Sequence, residues 1–306
     1  MQKDFTSEEI KNAGFKFVFK EQNGFESRYQ SWGNCHTFFA KLKGRQYDKL
    51  SPEEKELARL HLSFYLASWG MYRGSSFVLQ YSNTIFDDVI RVLLQSKYTK
   101  LWDLNLESLR QNKQEVIQLL IDIRDSLNSE LIEYKSFTDT KNEDVPHPIE
   151  DNAVHQTLIT KILLGTLCCT PAFDRYFTLS APTTCNDFYK NQKLTSLVEF
   201  IINNSVFEEL ANDKMLGNYP LMKIVDMAYF NLGIENEFKE CYYKYIDTNQ
   251  PPTSDTEWKT FSKLLRQFYY RINRGADIDI HASFSDEKIK NKIISFLDNY
   301  KDKIKL

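Results

Sequence analysis

From Ser51 to Gln80 the chain reads SPEEKELARLHLSFYLASWGMYRGSSFVLQ, and this stretch limits the fold more than any other. Ser51 can accept the hydrogen bond that caps a helix, Pro52 suits the first turn, and Glu54 stands where a capping box needs a carboxylate. Leu57, Leu60, Phe64, Ala67, Met71 and Phe77 take one helical face, while Leu62, Leu66, Trp69 and Val78 make the opposite side apolar. A helix apolar all round is one surrounded by its neighbours. The spacing therefore predicts a central, buried helix ending near Tyr81. Gly70, Gly74, Ser75 and Ser76 would let a backbone or a ligand come close. Arg73 stands among them, and a buried guanidinium requires an anion.

Most of the chain carries the same helical signature. Glu26–Leu42 places Tyr29, Trp32, His36 and Phe39 at helical spacing, with Lys43 and Gly44 closing the segment. Thr84–Leu94 and Leu106–Tyr134 repeat at 3.6 residues, the latter through Val116, Leu119, Leu120, Ile123, Leu127 and Leu131. Thr157–Cys169 is apolar and stops at Pro171. Further helices are expected over Asp187–Asn203, Val206–Leu210, Pro220–Phe230, Thr253–Arg274 and Asp286–Leu306. Residues 5 to 20 stay open, because Phe15, Phe17 and Phe19 alternate like a strand while the segment before them reads helical. The class expected is mainly α, a compact multi-helix array. Lys135–Asp151 is polar, contains two prolines and lacks a period, so it serves as the break between lobes 1–140 and 150–306, which one domain could also contain.

The bulk figures remove several classes. A net charge of −3 and a pI near 6.0 do not suit a protein held on nucleic acid by overall charge. The five cysteines, Cys35, Cys168, Cys169, Cys185 and Cys241, have no CxxC spacing, so neither a disulfide framework nor a zinc site is expected, and the thiols read as reduced and intracellular. No three ligands converge on a metal, and no cofactor motif appears. The N-terminus lacks the apolar run of a signal peptide, and the best apolar stretch is broken by Arg73 far short of a membrane span. A cytoplasmic protein with no membrane partner is the expectation.

Three stretches combine apolar surroundings with charge. Arg73, with Ser75 and its small neighbours, could hold a phosphate, a nucleotide or a carboxylate, or could tie helices together as a structural ion pair. In TKILLGTLCCTPAFDRYF, Lys161 sits on a helix before a tight break, and Asp174 falls near the start of the next helix, where a carboxylate also serves as a cap. In YPLMKIVDMAYF, Lys223 and Asp226 are three apart on one helical face, which a buried pair would explain; Asp226 could equally face Arg73 or Lys161. Trp32, Trp69, Tyr72 and Tyr176 are aromatics that could form a slot for a base. Trp32 and His36, four apart, are expected to pack rather than catalyse.

A lysine-bearing helix, a turn with proline and an aspartate opening the next helix resembles the core of the helix-hairpin-helix DNA glycosylases, and more closely their divergent 8-oxoguanine-glycosylase-like relatives. The resemblance covers about Thr160 to Phe177. It implies Lys161 as the amine nucleophile at a sugar carbon and Asp174 as the carboxylate that stabilises or activates it; beside that resemblance, the residues themselves offer Arg73, Ser75, Tyr72, Trp69, Tyr176 and Asp226 as the candidates to surround a substrate. Separately, SWGMYRGSS, TKILLGT and PAFDRYF together are similar to a family of bacterial proteins suspected of phage-defence or mobile-element roles.

Three functions follow as expectations. The first is a glycosylase-like enzyme, or a degenerate relative, acting on a nucleobase–sugar bond in nucleic acid, within bacterial defence. The second is a non-catalytic helical subunit docking on a protein partner; it suits the acidic balance and the segment DNAVHQTLIT before Lys161, which lacks the hairpin glycines that grip DNA phosphate. The third is a nucleotide sensor built on Arg73. An apolar patch of several hundred Å² on the monomer, with Lys161 and Asp174 paired away from a cleft, would favour the second.

Overall fold

A computed structural model describes residues 5–22, 27–74, 76–102, 104–141, 153–259, 261–262, 265 and 287–304. The architecture is mainly α, and no strand occurs among the described residues. The helices are α1 (Ser7–Gln22), α2 (Ser27–Ala40), α3 (Pro52–Ser68), α4 (Asp87–Leu93), α5 (Leu106–Gln111), α6 (Lys113–Lys141), α7 (Gln156–Gly165), α8 (Arg175–Ser180), α9 (Asn191–Asn203), α10 (Ser205–Ala211), α11 (Leu221–Cys241) and α12 (Glu287–Ile304). Two compact units divide the chain, Met1–Leu232 and Gly233–Leu306. The division falls inside α11 and not in the Lys135–Asp151 stretch, of which residues 142–151 lie outside the described residues.

The ambiguous N-terminal segment is helical. Thr6 and Glu9 form reciprocal caps, Glu9 N–H donating to Thr6 Oγ1 and Thr6 N–H to Glu9 Oε2. Ile10, Ala13 and Phe17 then bury one face at spacings of three and four. At α3 the expected box is present: Glu54 N–H donates to Ser51 Oγ at 3.2 Å, and Ser51 N–H to Glu54 Oε2 at 2.9 Å.

The end of α3 departs from expectation. Gly70 has φ +78°, Gly70 N–H donates to Ala67 O at 2.9 Å, and Met71 N–H reaches back to Leu66 O at 2.9 Å. This is a Schellman stop, in which glycine takes the left-handed position just after the helix. The helix closes at Ser68, not near Tyr81, and the chain leaves it before Arg73.

Nor is α3 the helix that its neighbours surround. Ala58, Leu62, Tyr65 and Leu66 are buried, whereas Leu57, Leu60 and Phe64 are 45%, 47% and 60% exposed. The surrounded helices are α7, buried at every position from Leu158 to Gly165, and α11, buried throughout Leu221–Leu232. In the first unit α2, α3 and α7 pack on one another, and α6 packs against α4, α5, α7 and α9. Asn112 separates α5 from α6, and Asn105 caps α5 by accepting from Ser108 N–H at 2.9 Å.

In the second unit, Phe238, Tyr242, Tyr245, Ile246, Phe261, Leu265, Ile293 and Phe296 form one apolar cluster. The expected helix over Thr253–Arg274 is described at residues 255–259 and 261–262, and most of its remainder lies outside the described residues.

Candidate functional site

The segment 170–174, between α7 and α8, is the point on which the charged side chains converge. Thr160 Oγ1 accepts from Phe173 N–H at 2.8 Å, and Thr157 Oγ1 donates to Phe173 O at 2.9 Å, so α7 holds the turn through two hydroxyls on one face. Lys161, one residue further, donates to Asp174 Oδ2 at 3.1 Å; the two side chains are 5% and 13% exposed. Asp174 Oδ1 accepts from the backbone N–H groups of Tyr176 (3.0 Å) and Phe177 (3.1 Å), so the same carboxylate caps α8. The cap and the ion pair thus use its two oxygens separately.

From the other side, α11 supplies a second pair. Lys223 donates to Asp226 Oδ2 at 3.1 Å, with exposures of 2% and 9%, and Asp226 Oδ1 accepts from Ala172 N–H at 3.0 Å. Asp226 therefore holds the backbone at Ala172 and Asp174 holds it at the start of α8, and each carries its own lysine. The Trp69 ring lies close to both ammonium groups, 5.0 Å from Lys161 Nζ and 5.9 Å from Lys223 Nζ. Phe17 and Trp32 complete the aromatic surround of Lys223 at 4.5 and 5.0 Å.

Three further groups fix this centre. Trp32 Nε1–H donates to Leu164 O at 2.8 Å, and His36, stacked on Trp32, donates Nδ1–H to Thr166 O at 2.8 Å, since a carbonyl can only accept. Both residues pack the end of α7. Tyr65, fully buried, has its phenol pushed well above the ordinary range, first by burial and then by the nearby negative charge of Asp226 and Asp174. Burial likewise pushes the Cys168 thiol well up, Lys223 opposing it; Cys168 has φ +53° where the chain turns out of α7. Such a thiol is a poor nucleophile.

Of the residues singled out in the sequence, Lys161 and Asp174 meet directly. Asp226 grips the same turn, and Trp69 borders both pairs. Tyr176 is half-buried, its ring 5.2 Å from Phe230, which in turn meets Trp69 at 5.6 Å. Arg73 does not join them. It is exposed, and its guanidinium folds over Gly70, so the expected buried cation is a surface residue displaced by the stop at the end of α3. Among the described residues no hydrogen bond or ion pair links Arg73 to Lys161, Asp174 or Asp226. The Tyr72 side chain is half-buried, and Ser75 lies outside the described residues.

Tyr65 and the hydroxyls of Thr157 and Thr160 escaped the sequence reading. The threonines are three apart and so share a face of α7, a spacing that carries no information about which turn they would hold.

Attack on a sugar carbon needs a free amine, and here Lys161 Nζ is engaged by the Asp174 carboxylate. The arrangement is suited to holding a turn between two buried helices, because each charge has an opposite partner and each carboxylate also accepts from backbone N–H groups. Among the described residues no three His, Cys, Asp or Glu side chains gather as a metal ion would need, and no helix is long and apolar enough to cross a membrane. No protein-family model, curated protein or solved structure matches the chain.

Proposed function

We propose that this chain is a non-catalytic helical protein that works by docking on a protein partner, in the bacterial defence or mobile-element setting that its short motifs resemble. The observation that carries the reading is the outer face of α3. Leu57, Leu60 and Phe64 fall at spacings of three and four on one stripe, each at least 45% exposed, while Ala58, Leu62, Tyr65 and Leu66 occupy the opposite side. Exposed apolar residues scattered singly need no explanation, but a contiguous stripe on one helix is characteristic of an interaction surface. The ionisable centre supports the same reading, because both lysines are engaged by carboxylates that are also backbone acceptors.

Photo-crosslinking tests it. With p-benzoylphenylalanine replacing Phe64, illumination of cells is expected to give an adduct to one defined protein, this chain or another. The same group replacing the partly exposed Met215, on α10's C-terminal side, is expected to give none. Failure to form any adduct at position 64 overturns the reading.

A glycosylase-like activity is the second reading, favoured by one observation: Lys161 and Asp174 stand 3.1 Å apart beside Trp69, the amine, carboxylate and ring that such chemistry requires. It demands that the amine lose its proton and meet a sugar carbon. Incubation with damaged or modified DNA followed by borohydride is expected to leave no covalent protein–DNA product. A trapped product lost in Lys161→Ala would instead establish the lysine mechanism.

A further inference from the structure

The docking face of α3 has a polarity along its axis as well as an apolar stripe. At its N-terminal end the exposed side chains are Glu53 and Glu56. Leu57, Leu60 and Phe64 follow, and just beyond the C-terminal end the exposed Arg73 lies with its guanidinium against Gly70. At 100° per residue, Glu53, Leu57, Leu60 and Phe64 stay within one narrow sector. Glu56 meets Arg59 at 3.6 Å, whereas among the described residues neither Glu53 nor Arg73 has an ion-pair partner.

A surface with this order is complementary to itself when reversed. We infer that the partner for this face is a second copy of the chain, the two α3 helices lying antiparallel across a two-fold axis beside Leu60. That axis places Leu57 of each copy against Phe64 of the other. It brings the level of Gly70, and with it the Arg73 guanidinium, opposite residue 51, about two residues or ~3 Å along the axis from Glu53. Both ends then gain an acid–base pair, as an isologous contact requires. A parallel arrangement would instead set Glu53 and Glu56 against their own copies.

The three apolar side chains cover much less than the about 800 Å² per partner of a standard stable interface. The pair is accordingly concentration-dependent, with a dissociation constant on the order of micromolar or weaker. This inference rests on the docking role proposed for the face, and names its occupant.

Sedimentation velocity on the full chain over a concentration series tests it. The wild-type protein is expected to shift from monomer towards dimer, and Phe64→Glu, at a solvent-facing position, is expected to remain monomeric with an unchanged helical circular-dichroism spectrum. Arg73→Glu is expected to weaken association about tenfold, since two symmetric pairs become repulsive. The double exchange Glu53→Arg/Arg73→Glu is expected to restore it. A wild-type chain that stays monomeric up to the hundred-micromolar range overturns the self-pairing, as does a Phe64→Glu variant that still dimerises. An exchange that fails to restore association overturns the antiparallel order. If the chain is monomeric yet position 64 crosslinks to a different protein, the second copy is wrong and the docking role stands; if position 64 crosslinks to nothing, both fall.

Discussion

Asp226→Ala is expected to destabilise the Met1–Leu232 unit by about 3–5 kcal/mol, the loss typical when one partner of a buried ion pair is removed. Lys223, 2% exposed, would keep an ammonium in an apolar interior with no anion to answer it. The same substitution strips Ala172 N–H of its acceptor and so loosens the turn that α7 holds from the other side. At about 2–4 °C per kcal/mol for a unit of this size, the melting temperature should fall by roughly 6–20 °C. Phe17, Trp32 and Trp69 around the ammonium recover part of the loss, since a desolvated cation over an aromatic face gains about 2 kcal/mol or more. Lys223→Met/Asp226→Asn discharges both groups while keeping an oxygen for Ala172 N–H. It should unfold at nearly the wild-type urea concentration. A loss below about 1 kcal/mol in Asp226→Ala would mean that the rings alone, or water, satisfy the lysine, and the account of the pair as a structural clamp would be wrong.

The pair just described was readable in the sequence, and Arg73 was not, for reasons that lie in the chemistry of each stretch. Lys223 and Asp226 are three apart in an otherwise apolar helix, so their contact is set by helical geometry alone. Asp174 after Pro171 at the head of a helix is local information of the same kind, and its capping bonds follow from it. The Lys161–Asp174 contact spans thirteen residues and depends on a tight turn, yet the break between the two helices already fixed it within reach.

Spacing misplaces Arg73 because a glycine at position 70 suits close approach inside a helix as well as it suits a helix stop. Glycine has two uses there, and only the observed φ of +78° distinguishes a small residue from a helix terminator. Periodicity failed on α3 for a different reason. Its two faces are equally apolar, so a pattern of spacing could not say which side, Leu62 with Leu66 or Leu60 with Phe64, would meet the core. The stripe left outside, Leu57, Leu60 and Phe64, is the face proposed above for docking.

The second large effect is expected from a single methyl group at the crossing of α3 and α7. Gly165→Ala would place a Cβ only 2.5 Å from Tyr65 Cδ1 and 3.1 Å from Cζ, inside van der Waals contact with a ring that is fully buried. Close packing leaves such a ring nowhere to turn. Alanine for glycine in a helix normally gains about 1 kcal/mol, so the sign of the measured change decides whether backbone propensity or steric overlap prevails. Overpacking of a rigid core site destabilises by about 1–3 kcal/mol and occasionally more, and here a net loss of about 3 kcal/mol is expected in urea unfolding. Because Tyr65 lies near Asp226 and Asp174, a displaced ring would also disturb the turn that Asp226 holds and the cap that Asp174 makes on α8. Tyr65→Leu removes the obstruction but leaves a cavity, destabilising on its own account. In the double variant the leucine makes room for the methyl group, so the two losses should sum to about 1–3 kcal/mol more than the double variant shows. Additive losses, or a Gly165→Ala protein as stable as the parent, would mean that the helices can part at this crossing, and that Gly165 is not what lets α3 approach α7 closely enough to bury Tyr65.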